Sequence, residues 1–294
     1  LALLPTSSDQ LALADTLAVL GYMHFRLGEF TEARQFAEES LGLHRESGNQ
    51  IGKAFCLRTL VNSCLALGAY EEAYAFSNES LTICRELLGD PHGTALCLTT
   101  LSAAARHLGQ YDEARRWAEE GVRISKTLND RWCLAQTLRQ LGLAHLELGK
   151  IGQAEELIRQ SIAHTRETGD RMLLGTALIA LGSVERASEA YARSKQHFLQ
   201  ALQTAMETKT ITVALQAVAE IAVSAMNEGE NELALELVIY ALQHPLVNAR
   251  LKARLDQAHA GLVAQLTPKQ VAEIEERVCA RTLESLLQDL LLER

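Results

Sequence analysis

Between residues 11 and 245 the apolar positions recur every three or four residues, the stripe of an amphipathic α-helix rather than the alternation of a β-strand. Leu138, Leu141 and His145 form one such stripe ahead of Gly149. Leu17, Leu20 and His24 occupy the same places ahead of Gly28, as do Leu57, Leu60 and Cys64 ahead of Gly68. The stripes are broken by a recurring turn: Leu27-Gly28-Glu29-Phe30, Leu67-Gly68-Ala69-Tyr70, Leu108-Gly109-Gln110-Tyr111 and Leu148-Gly149-Lys150-Ile151, at intervals of 40, 41 and 40 residues. Weaker copies, Ser188-Glu189-Ala190-Tyr191 and Glu228-Gly229-Glu230-Asn231, keep the interval of 40.

The flanks of the turn repeat with it. A small residue lies five positions on (Ala33, Ala73, Ala114, Ala154, Ser194, Ala234) and is expected to begin a second helix, while Gln136 is expected to open the first helix of the fourth copy. Gly48-Asn49, Gly89-Asp90, Asn129-Asp130 and Gly169-Asp170 then read as helix stops followed by caps for the next helix. Each unit is helix, tight turn, helix, loop. One helix pair cannot bury its apolar face, but a stack can. The expectation is an all-α solenoid with six pairs at residues 11–50, 51–91, 92–131, 132–171, 172–210 and 211–245. Residues 1–10 read as the end of a preceding segment, and the start at Leu1 as the mark of an excised piece. Gly21, Gly142 and Gly182 are expected to let the first helices approach the row of small residues on the second. The fifth and sixth copies lack parts of the turn signature, so their geometry is open.

After Pro245 the repeat fades. Helical spacing persists from Leu246 to Leu266, Thr267-Pro268-Lys269-Gln270 has the form of a helix start ahead of Val271–Arg281, and Thr282 starts a last helix. Residues 246–294 are thus expected to cap the stack, with Arg294 at or near a natural end.

Composition sharpens the helical reading: aromatics are 5% of 294 residues, there are 4 prolines, and the apolar set is mostly Leu and Ala. A net charge of −9 argues against general nucleic-acid binding. The six cysteines lie within Leu/Ala-rich helical patterns and form no CxxC pair, which reads as small buried hydrophobes in a reducing compartment. With no long apolar run and no basic leader at the start, the expected location is cytoplasmic and the expected membrane contact none.

Leu20-Gly21 followed by Gly28, Phe30 and Ala33, and Leu141-Gly142 followed by Gly149 and Ala154, resemble the tetratricopeptide signature. The period of about 40 and the Gly-Asp or Gly-Asn loop in place of Pro are similar to the C-terminal sensor arrays of bacterial signal-transduction ATPases with numerous domains, the relatives of the maltose-regulon activator. That resemblance implies a right-handed superhelix with first helices lining a concave groove. It also implies upstream ATPase or effector domains in the same polypeptide.

No nucleotide-binding, zincin or serine-hydrolase motif is present, so no catalytic residue, metal or cofactor is expected and the chain reads as a binding module rather than an enzyme. His24 and His145 occupy equivalent places facing the partner helix, as packed and hydrogen-bonded histidines would. Cys56 and Cys97 share a packing position. Asn78-Glu79-Ser80 matches a glycosylation acceptor by chance. The acidic pairs Glu38-Glu39, Glu71-Glu72, Glu119-Glu120 and Glu155-Glu156 read as a solvated outer face.

Off the Leu stripe, the first helices carry Asp15, Tyr22 and Arg26; Arg58 and Asn62; Arg106 and His107; Gln136, Arg139 and Glu147; and Arg186. Five arginines and one histidine stand against two carboxylates. Arg58 and Arg139 share a repeat position, and so do Arg106 and Arg186. Two readings fit. Tyr22, Arg26, Arg58, Asn62, Arg106, His107, Arg139 and Arg186 line a groove for a protein, a peptide or a small anionic ligand, since guanidinium forks pair carboxylates and phosphates. Alternatively the arginines lie along neighbouring helices and pair locally with glutamates. The Lys and Asn set with which co-chaperone relatives hold C-terminal carboxylates is missing apart from Asn62. Beside the sensor reading stands a passive scaffold or self-association module acting through the solenoid end near Leu11 and Leu13.

Overall fold

The computed structural model describes residues 7–279 and 281–292, with the side chains of 291 and 292 excepted along with those of 7 and 8. The expectations for the chain start, and for Arg294 as an end, fall outside these residues. The described residues form fifteen α-helices and no strand, and they divide into two compact units that meet between Leu148 and Gly149.

The first unit contains α1 (Ser7–Leu27), α2 (Phe30–Glu46), α3 (Gln50–Leu67), α4 (Tyr70–Thr82), α5 (Pro91–His107), α6 (Tyr111–Thr127) and α7 (Arg131–Glu147), each packed on the next. The second contains α8 (Ile151–Thr168), α9 (Arg171–Ala187), α10 (Tyr191–Glu207), α11 (Ile211–Glu228), α12 (Asn231–Gln243), α13 (Ala249–Val263), α14 (Pro268–Cys279) and α15 (Leu283–Leu292). The fold class is an all-α solenoid of stacked antiparallel helix pairs.

Local chemistry sets the boundaries. The side chains of Asn49, Asp90, Asp130 and Asp170 accept hydrogen bonds from the backbone N–H of Gly52, Gly93, Cys133 and Leu173 at 2.8–3.1 Å, capping α3, α5, α7 and α9. The turn inside each pair uses a left-handed residue, Gly68 at φ 82° for instance. The fifth copy keeps the same turn although Glu189 stands where glycine would, at φ 61°. The Ala190 N–H still reaches Glu185 O at 2.8 Å, as the Gln110 N–H reaches Ala105 O at 2.9 Å. The geometry left open there is therefore the regular one at this turn, which carries backbone strain.

Two helix starts differ from expectation. The second helices begin at the turn's aromatic or Ile/Asn position, three residues ahead of the small residue, because residues 29, 69, 110 and 150 already accept from residues 33, 73, 114 and 154. α7 begins at Arg131, five residues before Gln136, because Asp130 supplies its cap. One irregularity has no counterpart in the sequence pattern: α4 runs on into a π-helical turn, Ile83–Leu87.

Close approach at Gly21 has the expected cause, since a methyl added there would meet Ala33 O at 3.1 Å and Ala37 N at 3.2 Å. At Gly182 the small-residue row is met as well, since the Ser194 hydroxyl donates to the Gly182 carbonyl at 2.8 Å, but the nearest neighbour of an added methyl is an aromatic ring. A methyl there would sit 2.5 Å from the Phe198 ring, so this glycine makes room for an aromatic side chain. Ser40 bonds Cys56 (3.1 Å) and the Cys97 thiol donates to Ser80 (3.2 Å), the same contact one repeat later. Five cysteines are buried free thiols, but Cys279 is exposed, contrary to the expectation for all six. His24 stacks on Phe36 at 5.0 Å and bonds Glu29 at 2.6 Å.

In the second unit α13 packs on α11 and α12, α14 on α12, and α15 on α10. Thr267 and Gln270 form the reciprocal capping box that their spacing predicts. Among the described residues no helix is long and apolar enough to cross a membrane.

Candidate functional site

In the first unit the one-turn spacing of Tyr22 and Arg26 brings them together: the guanidinium donates to the tyrosine hydroxyl at 2.9 Å and lies 5.9 Å from its ring. Phe55 on α3 comes within 6.1 Å of the Tyr22 ring, and Arg58, one turn on, stacks 5.0 Å over Phe55. Asn62 donates to the Arg58 carbonyl. Among the described residues neither Arg26 nor Arg58 has a carboxylate partner. Phe55, which joins the two helices here, was not among the residues picked out by the groove positions; an aromatic three residues before an arginine was the available signal.

A second group lies on α5 and α7. His107 stacks on Tyr70 at 4.6 Å, and Arg106 bonds His107 at 3.0 Å and Glu147 at 3.3 Å. Arg139 is different. Its Nε is enclosed without an acceptor, and no carboxylate meets its guanidinium among the described residues. Burial, reinforced by the like charge of Arg106, pulls its pKa down to about 10. The amide nitrogen of Gln136, one turn before it, is enclosed without an acceptor as well. Arg139 thus has a second cation, Arg106, as its charged neighbour and an unmet amide donor, Gln136, one turn away.

Arg186 falls in the second unit and is used differently. It pairs with Glu220 at 2.6 Å and lies 5.5 Å over the Phe198 ring. Glu220 is 4% exposed and also holds Arg254 at 2.6 Å. Burial alone would push its carboxyl up, but the two guanidiniums pull harder, so its pKa lies below the ordinary value. Buried Glu185 holds His197 at 2.6 Å and Arg159 at 3.3 Å beside an open cleft of about 170 Å³ lined by Ile162, Arg166, Leu178 and Leu181. Glu236 likewise binds Arg277 and Arg281. These three carboxylates escaped the sequence reading. The signal was there: an acid inside a run as apolar as ALQAVAEIAV needs a buried partner.

The acidic pairs on the second helices are not simply solvated. Glu72 binds Arg34 (2.6 Å), Glu79 binds Arg45 (2.7 Å) and Glu120 binds Arg85 (2.9 Å), each across successive second helices of the first unit.

One cluster among the described residues has metal-ligand chemistry: His92, Asp130 and Cys133, whose donor atoms lie within 4.8 Å of one another. Asp130 is committed on both sides, to His92 at 2.7 Å and to the α7 N-terminus. Burial pushes the Cys133 thiol up to about 11, away from the thiolate a metal requires. The arrangement is a helix cap shared with the preceding repeat.

Stacked helix pairs with left-handed turns define a helical-repeat protein. The chain belongs to the tetratricopeptide repeat family: its models match residues 13–47, 54–127 and 133–207. No curated protein matches the chain at a significant level. Similar solved structures include a Rap protein complexed with competence and sporulation factor (11% identity, TM-score 0.66, 94% of this chain and 78% of that one). NprR in complex with its cognate peptide NprX is similar over 95% of this chain and 77% of that one, at 14% identity and TM-score 0.64. A signal transduction ATPase with numerous domains carrying a tetratricopeptide repeat sensor, from Pyrococcus horikoshii, has 14% identity and TM-score 0.57 over 96% of this chain and 45% of that one.

Proposed function

We propose that this chain is a non-catalytic binding array that receives an acidic peptide or protein segment on the first helices of its first unit. The observation that carries this reading is Arg139, a half-buried cation whose Nε is enclosed without an acceptor and which has no carboxylate partner among the described residues, beside the partly neutralised Arg106. Enclosing a guanidinium without an anion costs free energy that an incoming carboxylate returns. Arg26 and Arg58, with the Tyr22 and Phe55 rings between them, offer a second place for an acidic or aromatic side chain. His107 and Asn62 complete the set. Arg186 contributes to the stability of the second unit instead. The peptide complexes of the Rap protein and NprR, which share the fold, support a peptide as the ligand class. The sensor-bearing ATPase, which shares the fold, supports a place in a larger regulator, where occupancy biases one of two states of the parent protein. The test is capture from an acidic peptide library by wild type and by an Arg58/Arg106/Arg139→Ala triple variant. Loss of capture in the variant is the expected result, and equal capture removes the reading.

A further inference from the structure

At two positions of the repeat, where other copies carry His44 and Cys56, Ser125 and Thr137, or Thr165 and Ala177, the second copy carries a cysteine at both, Cys84 and Cys97. Cys84 lies in the π-helical turn Ile83–Leu87 and Cys97 on α5, and the two share one core cluster with Leu81, Leu98 and Leu101. Their thiols are within hydrogen-bonding reach of each other. Ser80, one turn before Cys84, stands by both: its hydroxyl accepts from Cys97 at 3.2 Å and is within reach of Cys84. Gly93 leaves room for this arrangement, because a methyl there would meet the Cys84 sulfur at 2.9 Å. The pair is 4% and 7% exposed, so only a small reagent reaches it.

We propose that Cys84 and Cys97 are a dithiol oxidation site, which a small peroxide converts to a disulfide tying the π-helical turn to α5. The two cysteines take different parts. The Cys97 thiol beside it pulls the Cys84 pKa down to about 7 against the opposing effect of burial, with Ser80 and the Arg58 charge adding to the pull. Cys97 is pushed up by the same contact and by burial, so it keeps its proton. Cys64 and Cys133 are pushed up by burial to about 11 and stay thiols. The Cys84 thiolate therefore attacks one peroxide oxygen, the O–O bond breaks, and the departing hydroxide takes up the proton that Cys84 released. The Cys97 sulfur then attacks the sulfur of the resulting sulfenic acid, the S–O bond breaks, and the hydroxyl leaves as water with the Cys97 proton. Two thiols and one peroxide become one disulfide and two waters, the sulfurs oxidised and the peroxide reduced. A dithiol reductant reverses the change by thiol exchange.

The experiment treats the folded 294-residue chain with hydrogen peroxide, in a Cys279→Ser background that removes the exposed thiol. Free thiols are counted after denaturation, and disulfide-linked peptides are mapped by mass spectrometry. The expected result is the loss of two thiols and of two hydrogens in mass, with one link, Cys84 to Cys97, at unchanged helical signal. Dithiothreitol should restore both thiols. Cys64→Ser should keep the link, whereas Cys84→Ala and Cys97→Ala should each abolish it. The same treatment in urea should scatter the links among the cysteines, which separates native placement from mere reactivity. Five free thiols remaining in the folded chain, oxidation that stops at a sulfinic acid on Cys84, or links to Cys56 or Cys64 as abundant as the one to Cys97 overturns the proposal.

Discussion

The two units solve the same charge problem in opposite ways. In the second, buried carboxylates sit where first-helix and capping-helix arginines converge, so Glu220 satisfies Arg186 and Arg254, and Glu236 satisfies Arg277 and Arg281. In the first, Arg139 is enclosed with only another arginine for electrostatic company, and Arg58 rests on a ring. Equivalent positions in the repeat thus do different work, and a count of cations along the first helices says little until the anions are located. In the second unit the first-helix Arg186 is neutralised by a buried carboxylate, whereas in the first Arg26, Arg58 and Arg139 have none among the described residues.

The comparison breaks most readily at Glu220. Glu220→Ala should cost about 3–5 kcal/mol, because it strands two guanidiniums, and urea unfolding measures it. The folded pKa of Glu220 is depressed, so its contribution is fully present above the unfolded carboxylate pKa and is lost as pH falls through the lower folded value. Acid titration of stability should show this loss in wild type, and a Glu220→Gln variant should lack it. In the first unit Ala114→Leu, at a fully buried contact, should cost about 1–3 kcal/mol by overpacking. The sharpest contrast is one of sign. Arg186→Leu should destabilise, whereas Arg139→Leu should leave stability unchanged or raise it by about 1 kcal/mol, because it removes an uncompensated charge. Thermal melts of the pair decide it, and a large loss in Arg139→Leu would mean that the first unit uses this arginine structurally. The smallest effect is at Glu189, where glycine should stabilise by about 0.5–1 kcal/mol through relief of the left-handed backbone.

What the sequence made legible follows from range. Caps, left-handed turns and helix period depend on residues within five positions of one another, and Asn49, Asp90, Asp130 and Asp170 each do what their spacing says. That Arg186 is neutralised was not legible, because its partner lies 34 positions away, in a run whose apolar character hides it. Arg139 was legible as a cation but not as an enclosed one, since enclosure depends on how α7 is packed. Gly182 was legible as a site of close approach, but the ring that fills the space comes from Phe198, on the next helix.

The rungs between successive second helices in the first unit, Arg34 to Glu72, Arg45 to Glu79 and Arg85 to Glu120, are partly exposed. Each contributes on the order of 0–1 kcal/mol and is screened by salt. They act as weak springs in parallel between the second helices of the unit. Its bending stiffness should therefore soften as ionic strength rises, and the spacing of its repeats becomes a mechanical property tuned by the surrounding electrolyte.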